Sequence, residues 1–225
     1  MMPMPGPTVR EAFHTDRDFV SATRAGKDAD APIRPPYNGR MEKRIPVEPG
    51  KAYLLLNHGP VTLVSSAHAG RRNVMAASWA MPLDFLPPKV AVVIDRNTLT
   101  RELVEASGEF VLNIPTRRMA RQVVHCGTHG GRDLDKFAAF GLSGALGNAV
   151  AAPLVEGCAG WLECRVIAEP AIQGRYDLFL GEVLAAWADP RQFSDGRWHF
   201  AEDDGRTIHY CAGGQFFATG DAFEA

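Results

Sequence analysis

A chain of 225 residues has room for one generous domain or two small ones. Hydrophobic side chains make up 46% and charged ones 22%, an ordinary balance for a soluble globular protein, and a net charge of −2 removes the global electrostatic case for nucleic acid or an anionic membrane as partner. The four cysteines, Cys126, Cys158, Cys164 and Cys211, form no CxxC pair, no apolar run approaches the ~18 residues of a membrane span, and no leader pattern precedes the body, so reduced thiols and a cytoplasmic location are expected.

Residues 1–42 carry Pro3, Pro5, Pro7, Pro32, Pro35 and Pro36 among scattered charges. Only Val9 to Val20 has a pattern for a short helix, so this is an arm, either extended over the body or loosely ordered. Ile45 to Pro49 reads as a short extended piece, and Lys51 to His58 as a short helix or strand. The β-branched run Val61 to Ala67 then turns at His68-Ala69-Gly70 into a second strand, Arg71 to Pro82. Pro87-Pro88 makes a corner before the apolar run Val90 to Ile94. The polar loop Asp95 to Arg101 leads into a short helix that Thr100 caps and Gly108 ends, and Glu109 to Pro115 is the next strand.

Thr116 to His125 predicts a basic helix, and Gly127 to Asp133 is too glycine-rich for regular structure. Leu134 to Phe140 is helix-like, and Gly141 to Gly157 is a small-residue connection. Strands follow at Gly160–Ala168, with Trp161, Glu163, Arg165 and Ile167 on one side, and at Asp177–Ala188. After a turn-rich stretch, Ile208–Tyr210 and Gln215–Ala218 predict a last hairpin. Strands dominate, with no regular alternation with long helices. The expected fold class is therefore mainly β with inserted short helices, an antiparallel barrel and not a doubly wound parallel sheet.

Few short motifs carry chemistry. Gly141, Gly144 and Gly147 are spaced GxxGxxG, with no leading strand and no acidic residue ~20 positions on, so they do not make a dinucleotide fingerprint. His125, Cys126 and His129 are the best metal-like group, but no third or fourth ligand is evident, and a polar loop beside a ligand is the competing reading. There is no GxSxG elbow. Trp79, after Ser78 at a strand end, either packs in a core or walls a flat aromatic ligand. Asp95 to Arg101 is either an ordinary β-to-α loop or a phosphate cradle of hydroxyls, guanidinium groups and helix-start amides.

The order of these stretches resembles the flavin reductase-like proteins that include flavoredoxin, which are FMN-binding split barrels. The resemblance lies in Gly70, Asn73, Met75, Ser78 and Trp79, then Pro87-Pro88, then Thr100, Glu102 and Leu103. Asn113-Ile114-Pro115 and Asp135-Lys136-Phe137 follow, and the segments LECRVIAEP, LFLGEVLAAWAD and HYCAGGQFFATG match later strands. It covers roughly residues 43 to 220, which makes 43–225 the expected split-barrel domain.

The resemblance implies FMN at a homodimer interface. Asn73, Val74, Met75, Ala76, Ala77, Ser78 and Trp79 would line the ring edge, and Asp95, Arg96, Asn97, Thr98 and Thr100 would hold the phosphate. Lys136 and Phe137 would close the site. His129 is the side chain expected to touch a nicotinamide or an acceptor, and no metal is expected. The implied activity is that of an NAD(P)H-dependent oxidoreductase passing electrons through FMN to an acceptor. The alternatives are an electron carrier that keeps FMN without nicotinamide turnover, and a barrel that has lost flavin and binds another ligand or partner.

Overall fold

The computed structural model describes residues 44–224; the expected arm over 1–42, with its short helix at Val9–Val20, lies outside them. β1 (Ile45–Val47) leads to a 3-10 turn at Pro49–Leu55. β2 (Thr62–His68) and β3 (Arg71–Ala77) form a hairpin whose two-residue turn has positive φ at Ala69 and Gly70, the backbone that suits strand twist. β4 (Ala80–Phe85) and β5 (Pro88–Val93) form a second hairpin. Helix α1 (Leu99–Ser107) follows, then β6 (Glu109–Ile114).

A 3-10 turn at Arg117–Met119 runs into α2 (Ala120–Thr128), and α3 (Lys136–Ala139) is a single turn. β7 (Gly144–Ala145) and β8 (Leu154–Val155) pair inside the stretch expected to be plain connection. β9 (Gly160–Ile167), α4 (Pro170–Tyr176) and β10 (Leu178–Ala188) complete the main body. Two small hairpins close the chain: β11 (Phe193–Ser194) with β12 (Arg197–Trp198), and β13 (Ile208–Ala212) with β14 (Gln215–Ala218).

The main sheet has the order β3-β2-β6-β9-β10-β5-β4, with every named pair antiparallel. One edge of β10 is divided: Leu178–Glu182 pairs with β5, and Ala186–Ala188 pairs with β1. Val64, Ala77, Val92, Leu112, Leu162 and Phe179 share one buried cluster although their strands run from β3 to β5 in that order, and Ala80 of β4 packs against it. The sheet therefore curls around one interior, as an antiparallel split barrel.

Alternate residues of β2, β6 and β9 (Leu63, Val111 and Trp161) face a second cluster with α2, α3 and β8. Burial on both faces accounts for the unbroken apolar run Phe110–Leu112 of β6. Glu163 on β9 is fully buried, and its carboxylate accepts from the amides of Asn148 (3.1 Å), Ala149 (2.7 Å) and Val150 (3.0 Å) and from Trp187 Nε1 (2.7 Å). It pins the chain between β7 and β8 against the barrel.

Three expectations change. The strand from Arg71 to Pro82 is two strands, because Ser78 and Trp79 break it and send β4 to the opposite end of the sheet from β3. The cap of α1 is Thr98, whose hydroxyl accepts from the Arg101 amide at 3.2 Å; Thr100 lies inside the first turn, fully buried. The second helix runs through Gly127 to Thr128, because Gly127 lets α2 approach Ala76 of β3 where a Cβ would sit 3.4 Å away.

The β13–β14 hairpin docks on the loop before β2. His209 Nδ1 bonds Gly59 O at 3.0 Å, and since a carbonyl only accepts, that nitrogen carries the proton. The direction of the other bonds follows: Thr219 donates to His209 Nε2, Thr207 donates to Thr219, and His58 Nε2–H donates to Thr207 at 2.8 Å. His58 Nδ1 remains a buried lone pair without a partner. Burial first, then the neighbouring His209, push the His58 pKa from 6.5 down to about 4. The unfolded chain takes this proton more readily than the folded one, so the stability from neutral His58 is complete above pH 6.5 and drains away as pH falls towards 4. Melting temperatures of His58→Gln should fall less steeply across that window than those of the unaltered protein.

Candidate functional site

The loop between β5 and α1 is folded on its own side chains. Asp95 Oδ1 accepts from the Asn97 amide (2.7 Å), and Asp95 O accepts from the Thr98 amide (3.1 Å) and hydroxyl (2.8 Å). With Thr98 satisfying Arg101, the first-turn amides of Leu99 and Thr100 have no carbonyl of their own helix to reach. Such amides, with the positive end of the helix dipole behind them, suit an anion. Trp79 reaches the same edge: its carbonyl accepts from the Val93 amide at 3.0 Å, two residues before Asp95, and its side chain is half exposed.

The residues from Asn73 to Trp79 divide by role. Val74, Met75, Ala76 and Ala77 pack into the two cores. Ser78 and Trp79 are exposed. Asn73 is 3% exposed, and its Nδ2 donates to Thr100 Oγ1 at 2.9 Å while its Oδ1 is buried without a partner. The structure thus joins Asn73 to the start of α1, and puts Ser78 and Trp79 beside the end of β5.

A third segment, 129–135, straps this junction. Gly131 lies so close to Asn73 that a Cβ there would be 2.1 Å from Oδ1. Arg132 holds Glu102 of α1 through both carboxylate oxygens (2.8 and 2.7 Å) and donates to Asn97 O at 3.3 Å. Hydrogen bonding to Arg132, more than any other cause, holds the Glu102 carboxyl below its usual pKa. Asp135 at the far end bonds Arg72 at 3.2 Å and accepts from the Phe137 amide.

Three expected site residues are committed elsewhere. Arg96 turns to α4, donating to Asp177 (3.0 Å) and Gly174 O (2.9 Å), and Arg101 holds the same Asp177 at 2.9 Å. Lys136, expected to close the site, is 3% exposed and donates to Cys126 O at 2.8 Å; burial lowers its pKa. Phe137, also expected there, lies in the second core, with the Arg72 guanidinium 4.4 Å from its ring. Lys136 and Phe137 anchor the strap and do not face the junction, because α3 turns this segment inward.

His129 caps α2, exposed, with Nδ1 near His125 O (3.1 Å) and its ring 5.3 Å from that of Phe140. His125 stacks on Phe140 at 5.0 Å. Burial pushes the Cys126 thiol up to about 11, which leaves it protonated and a poor nucleophile. Among the described residues, no three His, Cys, Asp or Glu side chains gather as a metal site would need, and no helix is long and apolar enough to cross a membrane.

Sequence reasoning missed Arg132, Gly131 and Asp177 at the site, and met Glu102 only as part of the helix-start motif. The Gly130-Gly131 pair was the one local signal, since paired glycines before an arginine allow close approach to a neighbouring backbone or side chain.

The profile of the family described as flavin reductase like domain matches residues 56–209. The uncharacterized protein YddH of Escherichia coli (strain K12) is 43% identical over 183 residues, which is 80% of this chain and 97% of that protein. The crystal structure of an FMN-binding domain of a flavin reductases-like enzyme from Shewanella baltica OS155 superposes with a TM-score of 0.80 at 45% identity, covering 82% of this chain and 98% of the other. Flavoredoxin of Desulfovibrio vulgaris (Miyazaki F) shares the fold, with a TM-score of 0.66 at 24% identity over 84% and 94% of the two chains.

Proposed function

This chain belongs to the flavin reductase-like family, and from that premise we propose that it is an FMN-binding oxidoreductase that takes electrons from NADH or NADPH and passes them through the flavin to an acceptor. The observation that carries the reading is the start of α1. The start of α1 and a buried, unpartnered Asn73 Oδ1 meet at one junction, and the half-exposed Trp79, whose carbonyl accepts from Val93, stands beside the end of β5. These are the groups a ligand with a phosphate at one end and a planar ring at the other requires. The residues present therefore fit FMN.

When bound, FMN supplies the two-electron chemistry, and the protein supplies orientation and electrostatics. The exposed loop end at Asn97 and Thr98, with the start of α1 behind it, would hold the phosphate, Trp79 would wall the ring, and the buried Asn73–Thr100 bond would keep strand and helix in register beneath them. His129 stands exposed at the strap's start, where it would meet a nicotinamide or an acceptor. A homodimer completes the proposal. β4 alternates so that Met81, Leu83 and Phe85 all face outward next to Trp79 and Leu86, an apolar stripe on an end strand that suits burial against a second copy.

The test is an absorption spectrum of the purified protein, then anaerobic addition of each nicotinamide. A yellow protein that bleaches within seconds supports the reductase, and His129→Ala should then bleach about tenfold more slowly while keeping its flavin. Bleaching by dithionite alone identifies an electron carrier. A colourless protein that takes up no FMN overturns the flavin reading.

A further inference from the structure

We propose that the Arg132–Glu102 ion pair is the phosphate gate of this site, Arg132 being the cation that makes the protein select FMN over the phosphate-free riboflavin; the proposal rests on the flavin reading above. The arginines adjacent in sequence to the α1 start are both occupied. Arg101 is nearly buried, with its guanidinium shared among Glu105, Ile94 O, Asp177 and Gln173 O. Arg96 is drawn towards α4 by Asp177 and Gly174 O. Lys136 is buried on a backbone carbonyl.

Arg132 differs from all three. Its side chain is half exposed, it reaches the carbonyl of Asn97 within the loop itself, and its ionic partner is an equally exposed Glu102. An exposed pair of this kind is held weakly, so its guanidinium can be shared with a ligand oxygen at little cost. A phosphate offers the same two-oxygen fork as a carboxylate.

Glu102 makes the assignment sharper. It stands in the first turn of α1, where its charge stabilises the helix but repels an arriving phosphate. Arg132 neutralises that charge in place. Without Arg132, the Glu102 charge beside the seat would keep only the weaker, non-hydrogen-bonded influence of Arg71. Gly131 is what allows the arrangement, since only a residue without a Cβ lets the strap descend onto Asn73 and carry Arg132 to Asn97.

The experiment titrates flavin-stripped full-length protein with FMN and, separately, with riboflavin, following flavin fluorescence. The unaltered protein should prefer FMN by tenfold or more, the effect of one charge-assisted fork. Arg132→Ala should cost FMN about that factor and leave riboflavin unchanged, and Arg132→Ala with Glu102→Gln should recover part of it. A loss of equal size for both flavins, no loss for either, or no recovery in the double variant overturns the gate. Binding of neither flavin by the unaltered protein overturns the flavin reading itself, which separates the two failures.

Discussion

Glu163→Ala should lower the melting temperature by on the order of 10 °C, the largest effect expected of any single substitution outside the hydrophobic interior. The carboxylate is fully buried and receives four hydrogen bonds, three from consecutive backbone amides and one from the Trp187 indole. Truncation leaves all four donors without this partner, the Val150 amide in a buried position and the other three in partly buried ones. Losing hydrogen bonds to a charged acceptor and stranding the donors costs about 3 to 5 kcal/mol. Glu163→Gln keeps the shape but turns an NH₂ towards two of the donors, so roughly half the loss should return. The check is calorimetric unfolding of the three proteins at neutral pH. A melting temperature for Glu163→Ala within about 2 °C of the unaltered protein would show that the segment between β7 and β8 is held by other contacts.

Gly131→Ala should weaken FMN binding by tenfold or more with little change in melting temperature. The added Cβ would stand 2.1 Å from Asn73 Oδ1, far inside van der Waals contact, so either the strap rises or the Asn73 side chain leaves its bond to Thr100, and both disturb the seat. A rising strap takes Arg132 away from Asn97 and Glu102. The ties at the Gly131 end of the strap are surface ion pairs, which contribute little to global stability, and the buried anchors Lys136 and Phe137 lie five and six positions further on, so folding should survive. Gly130→Ala is the control: a Cβ there meets nothing within 4 Å, and binding should be unaltered. Equilibrium titration of both variants with FMN reads the difference. Equal affinities for the two variants would mean that the contact of Gly131 with Asn73 does not shape the seat.

Most strands were legible because their sequences satisfy local rules. Thr62–His68 opens on the β-branched and apolar run Thr62–Val64, Arg71–Ala77 closes on the apolar run Val74–Ala77, and the turn between them takes positive φ; Leu178–Ala188 is a long, mainly apolar run without proline. The break at Ser78–Trp79 was not legible, because which strand β4 pairs with is decided by β5 and not by β4 itself. The cap of α1 went to Thr100 on paper since two threonines stand two apart, and only the backbone distinguishes the extended Thr98 from the helical Thr100. Gly127 reads as a helix breaker by propensity; packing of α2 on β3 overrides it.

At the site, the limits were of distance along the chain. Arg96 looked free because its carboxylate, Asp177, lies 81 positions away. Lys136 and Phe137 were expected to close the site from the resemblance, and a one-turn helix of four residues has too few positions to reveal which way it faces. Arg132 looked like one more charge in a glycine-rich loop, and its partners Glu102 and Asn97 come from a different element.

The divided edge of β10 has a consequence for how the chain is made. β5 finds its second neighbour only when Leu178–Glu182 arrives, and the β4–β5 hairpin is complete by Val93. At ribosomal speeds of about 5 to 20 residues per second, that hairpin waits several seconds with its apolar edge unpaired. Met81, Leu83 and Phe85 are on display for the same interval, and they remain exposed on the finished chain. Newly made protein is thus at its stickiest before the barrel closes, and yield should depend on holding nascent chains apart, through low synthesis temperature or chaperone supply, more than on the stability of the finished fold.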